Sequence, residues 1–320
     1  MTDVAVRVDA VTKHYGDVAA VDAISLEVAN GEIFGFIGPD GAGKTTLFRI
    51  LVTLLVPDSG TATVLGDDVV RDMWKLRQRV GYMPGRFSLY PDLSVAENLD
   101  FFASVFGTTV RKEYDRIAPI YSQIEPFKDR RAGALSGGMK QKLALCCALV
   151  HKPDILFLDE PTTGVDAVSR REFWDLLGRL KANALTIVVS TPYMDEADRC
   201  DRVALMQGGH ILAIDTPAAL TASFDRPLLA VTTGKRYDAL RALREIVPAQ
   251  SAYPFGASLH VVGGPQQDAN KFADELTSQL RTKGIGDAKV AAAQPTIEDL
   301  FIARMGAVDP PEQGPSLRSG

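Results

Sequence analysis

Four short stretches of the chain are apolar at almost every position: Glu32-Ile33-Phe34-Gly35-Phe36-Ile37, Asp154-Ile155-Leu156-Phe157-Leu158, Thr186-Ile187-Val188-Val189 and Arg202-Val203-Ala204-Leu205-Met206. Helical patterns separate them. Near-continuous apolar strands spaced by helices are what a parallel sheet covered on both faces requires, so the main domain reads as α/β. Ahead of them, residues 4 to 11 and 22 to 29 alternate more regularly, as antiparallel strands with one wet face do. Between about residues 93 and 150 strand patterning disappears and helical spacing predicts a helical insertion.

A weaker pattern runs from 228 to 305: LLAVTT, YDALRALREIV, ASLHVV, a long helix from Asp268 to Lys283, AKVAAA and a last helix at Thr296 to Met305. It predicts a small βαβαβα-like, α+β accessory domain that carries no chemical constellation and serves packing or dimerisation. The domains are therefore expected at 1–222 and 223–306, with 307–320, rich in Pro, Gly and polar residues, as a disordered tail.

Composition narrows the function. A formal net charge of -5 argues against a surface that coats nucleic acid, so no nucleic-acid partner is expected. No stretch approaches the roughly 20 apolar residues of a membrane span and the N-terminus lacks a signal layout, which predicts a cytoplasmic chain. Cys146, Cys147 and Cys200 show no CxxC or histidine-paired spacing and read as packing residues.

The strongest chemical signal is Gly38-Pro39-Asp40-Gly41-Ala42-Gly43-Lys44-Thr45-Thr46, set between a buried strand and a helix. Glycines let backbone amides surround phosphates, the helix adds its positive end, Lys44 reaches the β- and γ-phosphates, and Thr45 is placed to ligate Mg²⁺. The strand at 155–158 ends in Asp159 and Glu160, suited to holding Mg²⁺ and polarising an attacking water. On its own such a pair reads as a loop start or helix cap. Beside a phosphate loop, the functional reading prevails. Ser136, Gly137 and Gly138, followed by Gln141, open a further helix and make a second anion-binding end. Since one loop already holds this chain's nucleotide, the second end implies a second protomer.

With these motifs in this order, residues 4 to 217 resemble the nucleotide-binding subunit of an ATP-binding cassette (ABC) transporter, in which the LSGG signature of one subunit closes on the ATP of the other. The resemblance implies a P-loop NTPase fold: a parallel core sheet, an antiparallel β subdomain, a helical insertion, and here the small C-terminal α+β domain besides. It implies ATP and Mg²⁺ as ligands, transmembrane permease subunits and a second nucleotide-binding domain as partners, and a place on the inner face of the cell membrane. Tyr15 matches the aromatic that stacks on adenine, its other reading being a surface-turn tyrosine. Thr162 to Asp166 matches the D-loop that crosses between subunits, or else an ordinary turn ahead of the next helix. The segment from Phe87 to Asn98 matches the part that meets membrane subunits, with about half of its apolar residues serving the core of the insertion instead. Stretches such as FSLYPDLSVAENL and LSGGMKQKLAL look most like the ATPases of bacterial multidrug-type exporters, some of which fuse an altered and an intact cassette; this chain resembles the altered, N-terminal-type half. Residues 295–301 resemble the close of such cassettes, which predicts a complete unit.

Two positions depart from the family pattern. Gly85 follows Gly81-Tyr82-Met83-Pro84 where a glutamine is usual, and Pro192 follows Ser190-Thr191 where the switch histidine is usual. Neither residue has a side-chain polar group. Two such losses at one site predict slow hydrolysis with binding intact. Thr191 and Tyr193 stand as candidates for a substitute hydrogen bond, and harmless variation at 192 is the other reading. A heterodimer is expected, in which the unaltered Ser136-Gly137-Gly138 completes an intact partner's site. The alternative is a regulatory module that holds ATP and hydrolyses almost none. A soluble relative acting on ribosomes or DNA would call for two cassettes or a long coiled-coil insertion, and the sequence has neither.

Overall fold

The computed structural model describes residues 4–85, 89–248 and 251–305. Phe87 and Ser88 of the expected docking segment, and the expected tail, lie outside them. Contacts divide the chain into two units, Met1–Pro217 and Ala218–Gly320.

In the first unit, β1 (Val4–Tyr15) and β2 (Val18–Ala29) pair antiparallel. Next come β3 (Ile33–Ile37), α1 (Lys44–Leu51), β4 (Ser59–Val64), β5 (Asp67–Asp68), α2 (Met73–Leu76) and β6 (Val80–Met83). The helical insertion holds α3 (Val95–Val105), α4 (Val110–Tyr121) and α5 (Gly137–Leu149); β7 (Ile155–Asp159), α6 (Ala167–Ala182), β8 (Thr186–Thr191), β9 (Arg202–Gln207) and β10 (His210–Asp215) complete the unit. Among the described residues one sheet has the order β10-β9-β3-β8-β7-β6, parallel except for the antiparallel edge strand β10, and another has the order β2-β1-β4-β5. β3, β7 and β8 are buried at every position, which is why their sequences show no alternation. The α/β reading, with its antiparallel subdomain and helical insertion, holds.

Helix α1 shares one apolar cluster with both sheets. Phe48 meets Phe36 and Phe157 edge-on, each with ring centroids 5.7 Å apart, while Val6, Val8 and Val21 belong to the same cluster. Leu47, Phe48, Ile50 and Leu51 are fully buried, each worth roughly 1.5–3 kcal/mol of transfer free energy. That packing fixes the start of α1 beside the carboxyl ends of β3, β7 and β8, the edge at which open α/β sheets bind ligands. In the insertion, Ser94 and Glu97 form a reciprocal capping box on α3. Buried Asn98 accepts from Tyr90 N at 3.0 Å and donates through Nδ2 to the Tyr90, Leu93 and Ser94 carbonyls.

The second unit takes most of α7 (Pro217–Ala222), which the sequence reading assigned to the first domain. It continues through β11 (Leu228–Thr232), α8 (Arg236–Ile246), β12 (Ala252–Phe255), β13 (Ser258–Val262), α9 (Ala269–Thr282), β14 (Lys289–Ala292) and α10 (Ile297–Met305). The sheet order is β12-β13-β11-β14, all antiparallel. The expected βαβαβα succession gains one strand, β12. Leu229, Val231, Leu259 and Val261 pack with Leu243, Phe272 and Leu276 of α8 and α9, while Leu228, Tyr253 and Val262 meet Ile302 of α10. Asp299, fully buried, ties α10 down. It accepts from Tyr253 Oη at 2.7 Å, His260 Nδ1 at 2.6 Å, and Thr296 N and Oγ1 at 2.8 and 2.7 Å.

Candidate functional site

The loop between β3 and α1 can take its path only with glycine at two points. A Cβ on Gly38 would overlap the Met206 carbonyl oxygen, and one on Gly43, at φ 99°, the Ala20 carbonyl oxygen. Gly43 caps α1 without any side-chain hydrogen bond, whereas Ser94, Thr109, Ser136 and Asp166 cap α3, α4, α5 and α6 through their side chains. The first amides of α1 are thereby left for an anion. Tyr15, Asp40, Gly41, Ala42, Lys44 and Glu160, with Ala20, Gly43, Thr45 and Thr46, line one groove of about 350 Å³. Gly38 and Pro39 are tied to it through Lys44, which is buried and donates through Nζ to their carbonyls at 2.8 and 2.9 Å. The same ammonium stands 3.5 Å from Glu160 Oε1.

At the strand ends, Asp159 Oδ1 accepts from Thr45 Oγ1 at 3.1 Å and from Ser190 Oγ at 2.6 Å. Thr45 and Asp159 thus bring two hard oxygens together, a donor set that suits Mg²⁺ completed by phosphate and water. Glu160 has φ 49°, and its N–H is shared between Ser190 O and Ser190 Oγ, both at 3.0 Å. That bifurcated bond fixes the turn by which the carboxylate leaves the sheet. Tyr82, on neighbouring β6, is pushed up to about 12 by burial and by the Asp159 charge, so its phenol stays neutral.

The altered positions have defined surroundings. A Cβ on Gly85 would stand 3.0 Å from the Asp159 carbonyl oxygen. Pro192 directly follows β8, whose last residue, Thr191, is bound to the phosphate loop through Gly38 N–H at 3.3 Å. Of the two candidate substitutes, Thr191 is fully buried and donates to Glu196 Oε2 at 2.6 Å, and the ring of Tyr193 carries the Arg170 guanidinium 4.5 Å from its centroid. The Thr191 hydroxyl is thereby taken up by Glu196, whereas the contact at Tyr193 engages the face of its ring.

Ser136 caps α5, accepting from Met139 N at 3.4 Å; Gly137 and Gly138 form the first turn, and Gln141 follows in the second. A Cβ on Gly138 would stand 2.8 Å from Ser169 Oγ, so glycine here permits close approach to α6. Asp166 caps α6, accepting from Val168 N and Ser169 N, and those bonds, that of the Ser169 amide first, hold its carboxyl below the usual range. Around Val52, Leu54, Met83, Leu89, Phe102 and Phe106 lies a mainly apolar groove of about 400 Å³. Ser190 entered the sequence reading only as a neighbour of position 192, and Glu196 and Arg170 were given no role there. Their partners lie up to 34 residues away along the chain, a separation that leaves no local signature.

The ABC transporter family model matches residues 21–163. The probable multidrug ABC transporter ATP-binding protein YbhF of Escherichia coli (strain K12) is 46% identical over 213 residues, 66% of this chain but 37% of that relative, so the chain spans little more than a third of it. The daunorubicin resistance ATP-binding protein DrrA3 of Streptomyces coeruleorubidus is 34% identical over 315 residues, covering 96% of this chain and 97% of its own. Among solved structures, the ATP-binding cassette MJ0796, a dimer in a post-hydrolysis state with ADP and Pi, aligns with TM-score 0.60 and 25% identity over 66% of this chain and 98% of that one. Among the described residues no helix is long and apolar enough to cross a membrane. Because the DrrA3 match runs through both units, the phosphate loop is not a shared motif on an unrelated scaffold: the chain belongs to the family of ABC transporter ATP-binding proteins.

Proposed function

We propose that the chain is the ATP-binding subunit of an ABC-type exporter, one that holds MgATP well and turns it over slowly. The observation that carries this reading is the contrast within one site. The groove from Tyr15 to Glu160 brings together an aromatic for adenine, amides and Lys44 for phosphates, and a carboxylate for water, while positions 85 and 192 offer no side-chain polar group. Thr45 and Asp159 would hold Mg²⁺, which supplies charge neutralisation and orientation of the phosphates when bound. Lys44 leaves its two carbonyl partners for the β- and γ-phosphates, and Glu160, released from Lys44, orients the attacking water.

The names of the relatives, multidrug and daunorubicin resistance, support export. The apolar groove beside Phe102 and Phe106 fits a segment of a membrane subunit, which would hold the chain at the inner face of the membrane. The dimeric cassette relative supports a second nucleotide-binding domain. Ser136, Gly137, Gly138 and Gln141 would face the partner's ATP, and the D-loop at Asp166 would cross between subunits. An intact, heterologous partner is favoured because two copies of this chain would pair two sites without phosphate readers. The second reading, a regulatory ATP-holding module, draws on that same loss at Pro192.

The test is steady-state ATPase activity and ATP affinity of the full chain beside a Pro192→His variant. Tight binding with turnover raised about tenfold or more by the histidine is expected, since a single contact to developing transition-state charge is worth roughly 2.7–4 kcal/mol. Fast turnover by the unaltered chain, unmoved by P192H, would mean an ordinary motor that reads the γ-phosphate another way.

A further inference from the structure

Glu196 is 3% exposed and sits in a short 3-10 turn, Met194–Arg199, just after β8. Its two carboxylate oxygens serve different elements. Oε1 accepts from Thr162 Oγ1 at 2.8 Å, on the loop that leaves Glu160, and Oε2 accepts from Thr191 Oγ1 at 2.6 Å, at the tip of β8. Arg170, from α6, stands 3.8 Å from Oε1, pairs with Asp195 at 2.9 Å and covers the Tyr193 ring. A buried carboxylate is costly, and well-packed apolar residues often stabilise a fold as well or better. Its use here points to a task other than holding the fold together.

The contacts continue on both sides. Glu160 Oε2 accepts from Thr163 Oγ1 at 3.3 Å, and Glu160 Oε1 lies 3.5 Å from Lys44 Nζ. Thr162, next in the chain to Thr163, leads to Glu196, and Glu196 leads to Thr191 and the segment that begins with Pro192. A phosphate that draws Lys44 from Glu160 therefore loosens the first link of a continuous series ending in residues 191–199. Pro192 itself offers a nucleotide no side-chain polar group. We infer that Glu196 is a positioning residue that carries the nucleotide state of the Lys44–Glu160 pair to this segment, by a route that bypasses position 192. The inference rests on the MgATP reading above.

Spatial continuity alone does not establish coupling, so the test measures the coupling itself. Hydrogen exchange is followed by mass spectrometry on the full chain with and without MgATP, for the unaltered protein, Thr162→Val, Thr162→Ser and Glu196→Gln, with thermal midpoints in parallel. In the unaltered chain MgATP should slow exchange at least threefold in residues 41–51, where it binds, and speed it at least threefold in residues 191–199, where the series loosens. T162V should keep the first response and lose the second, while T162S, which retains the hydroxyl, should keep both. A purely structural role would lower the midpoint of T162V but leave its response at 191–199, and that result overturns the inference. So does an unaltered chain that responds at 41–51 and not at 191–199. An unaltered chain that responds at neither overturns the nucleotide reading together with the inference. Should T162V not fold, E196Q decides: its amide nitrogen cannot accept, so one of the two hydroxyls loses its acceptor and the response at 191–199 should vanish.

Discussion

Asp299→Ala should strip the second unit of its polar anchor. Four hydrogen bonds end on this carboxylate, and their donors, Tyr253 Oη, His260 Nδ1 and the Thr296 amide and hydroxyl, would lose their acceptor. Tyr253 and His260 are buried, at 8% and 4% exposure, so water cannot readily replace what is lost. At about 1–3 kcal/mol for each buried donor left unpaired, the change costs roughly 4 kcal/mol. For a unit near 100 residues that is a fall of roughly 16–32 °C in its melting midpoint, read by scanning calorimetry. The pH dependence has a fixed sign. Burial pushes the Asp299 carboxyl up, but the hydrogen bonds from His260, Thr296 and Tyr253 together outweigh it and hold the group below the usual range. A carboxyl lower in the folded than in the unfolded chain stabilises fully above its unfolded pKa, about 3.9, and that contribution drains away as pH falls through the folded value. The gap between the unaltered protein and D299A should therefore narrow below about pH 4. A midpoint within about 5 °C of the unaltered protein at pH 7, or a gap that widens in acid, would refute the reasoning.

Three further outcomes follow from the first unit. Gly43→Ala places a Cβ against the Ala20 carbonyl at φ 99°, so the loop must move; equilibrium ATP binding should weaken at least about tenfold, and unchanged affinity would show that glycine is not required there. Tyr15→Ala should weaken ATP and ADP alike, by a factor of about ten, because base–aromatic stacking is worth roughly 1–3 kcal/mol and both nucleotides carry adenine; Tyr15→Phe should bind as the unaltered chain does in the same titration. Asn98→Ala removes the group that holds Tyr90, Leu93 and Ser94, at a cost of about 2–4 kcal/mol, and should speed limited proteolysis in the segment just before α3.

Much of the first unit was legible because its signals are local. The buried strands at 33–37, 155–159 and 186–191 announce themselves by unbroken apolar runs, and the phosphate loop by glycines at fixed spacing. What escaped has physical reasons. β12 contains Pro254, which demotes a strand reading; the structure puts it at the sheet edge, the position that tolerates proline. β10, also at an edge, is half-buried along most of its length, and its apolar run, Ile211 to Ile214, is only four residues long and shows no alternation. The joining of Asp159 to Ser190, and of Thr162 and Thr191 to Glu196, depends on the spatial order of β7 and β8. Ser and Glu are too common for their spacing to signal it. Pro192 shows the opposite case: the sequence flagged the position, and only the structure showed that the Thr191 hydroxyl is bound to Glu196.

Gly85 ties its own position to the carboxylate loop. With the Asp159 carbonyl oxygen 3.0 Å from where its Cβ would stand, any side chain there asks the backbone at Asp159 to give by a few tenths of an ångström. A side chain introduced there therefore shifts the strand end that sets the Thr45–Asp159 pair, so its effect on turnover mixes the new group with that shift.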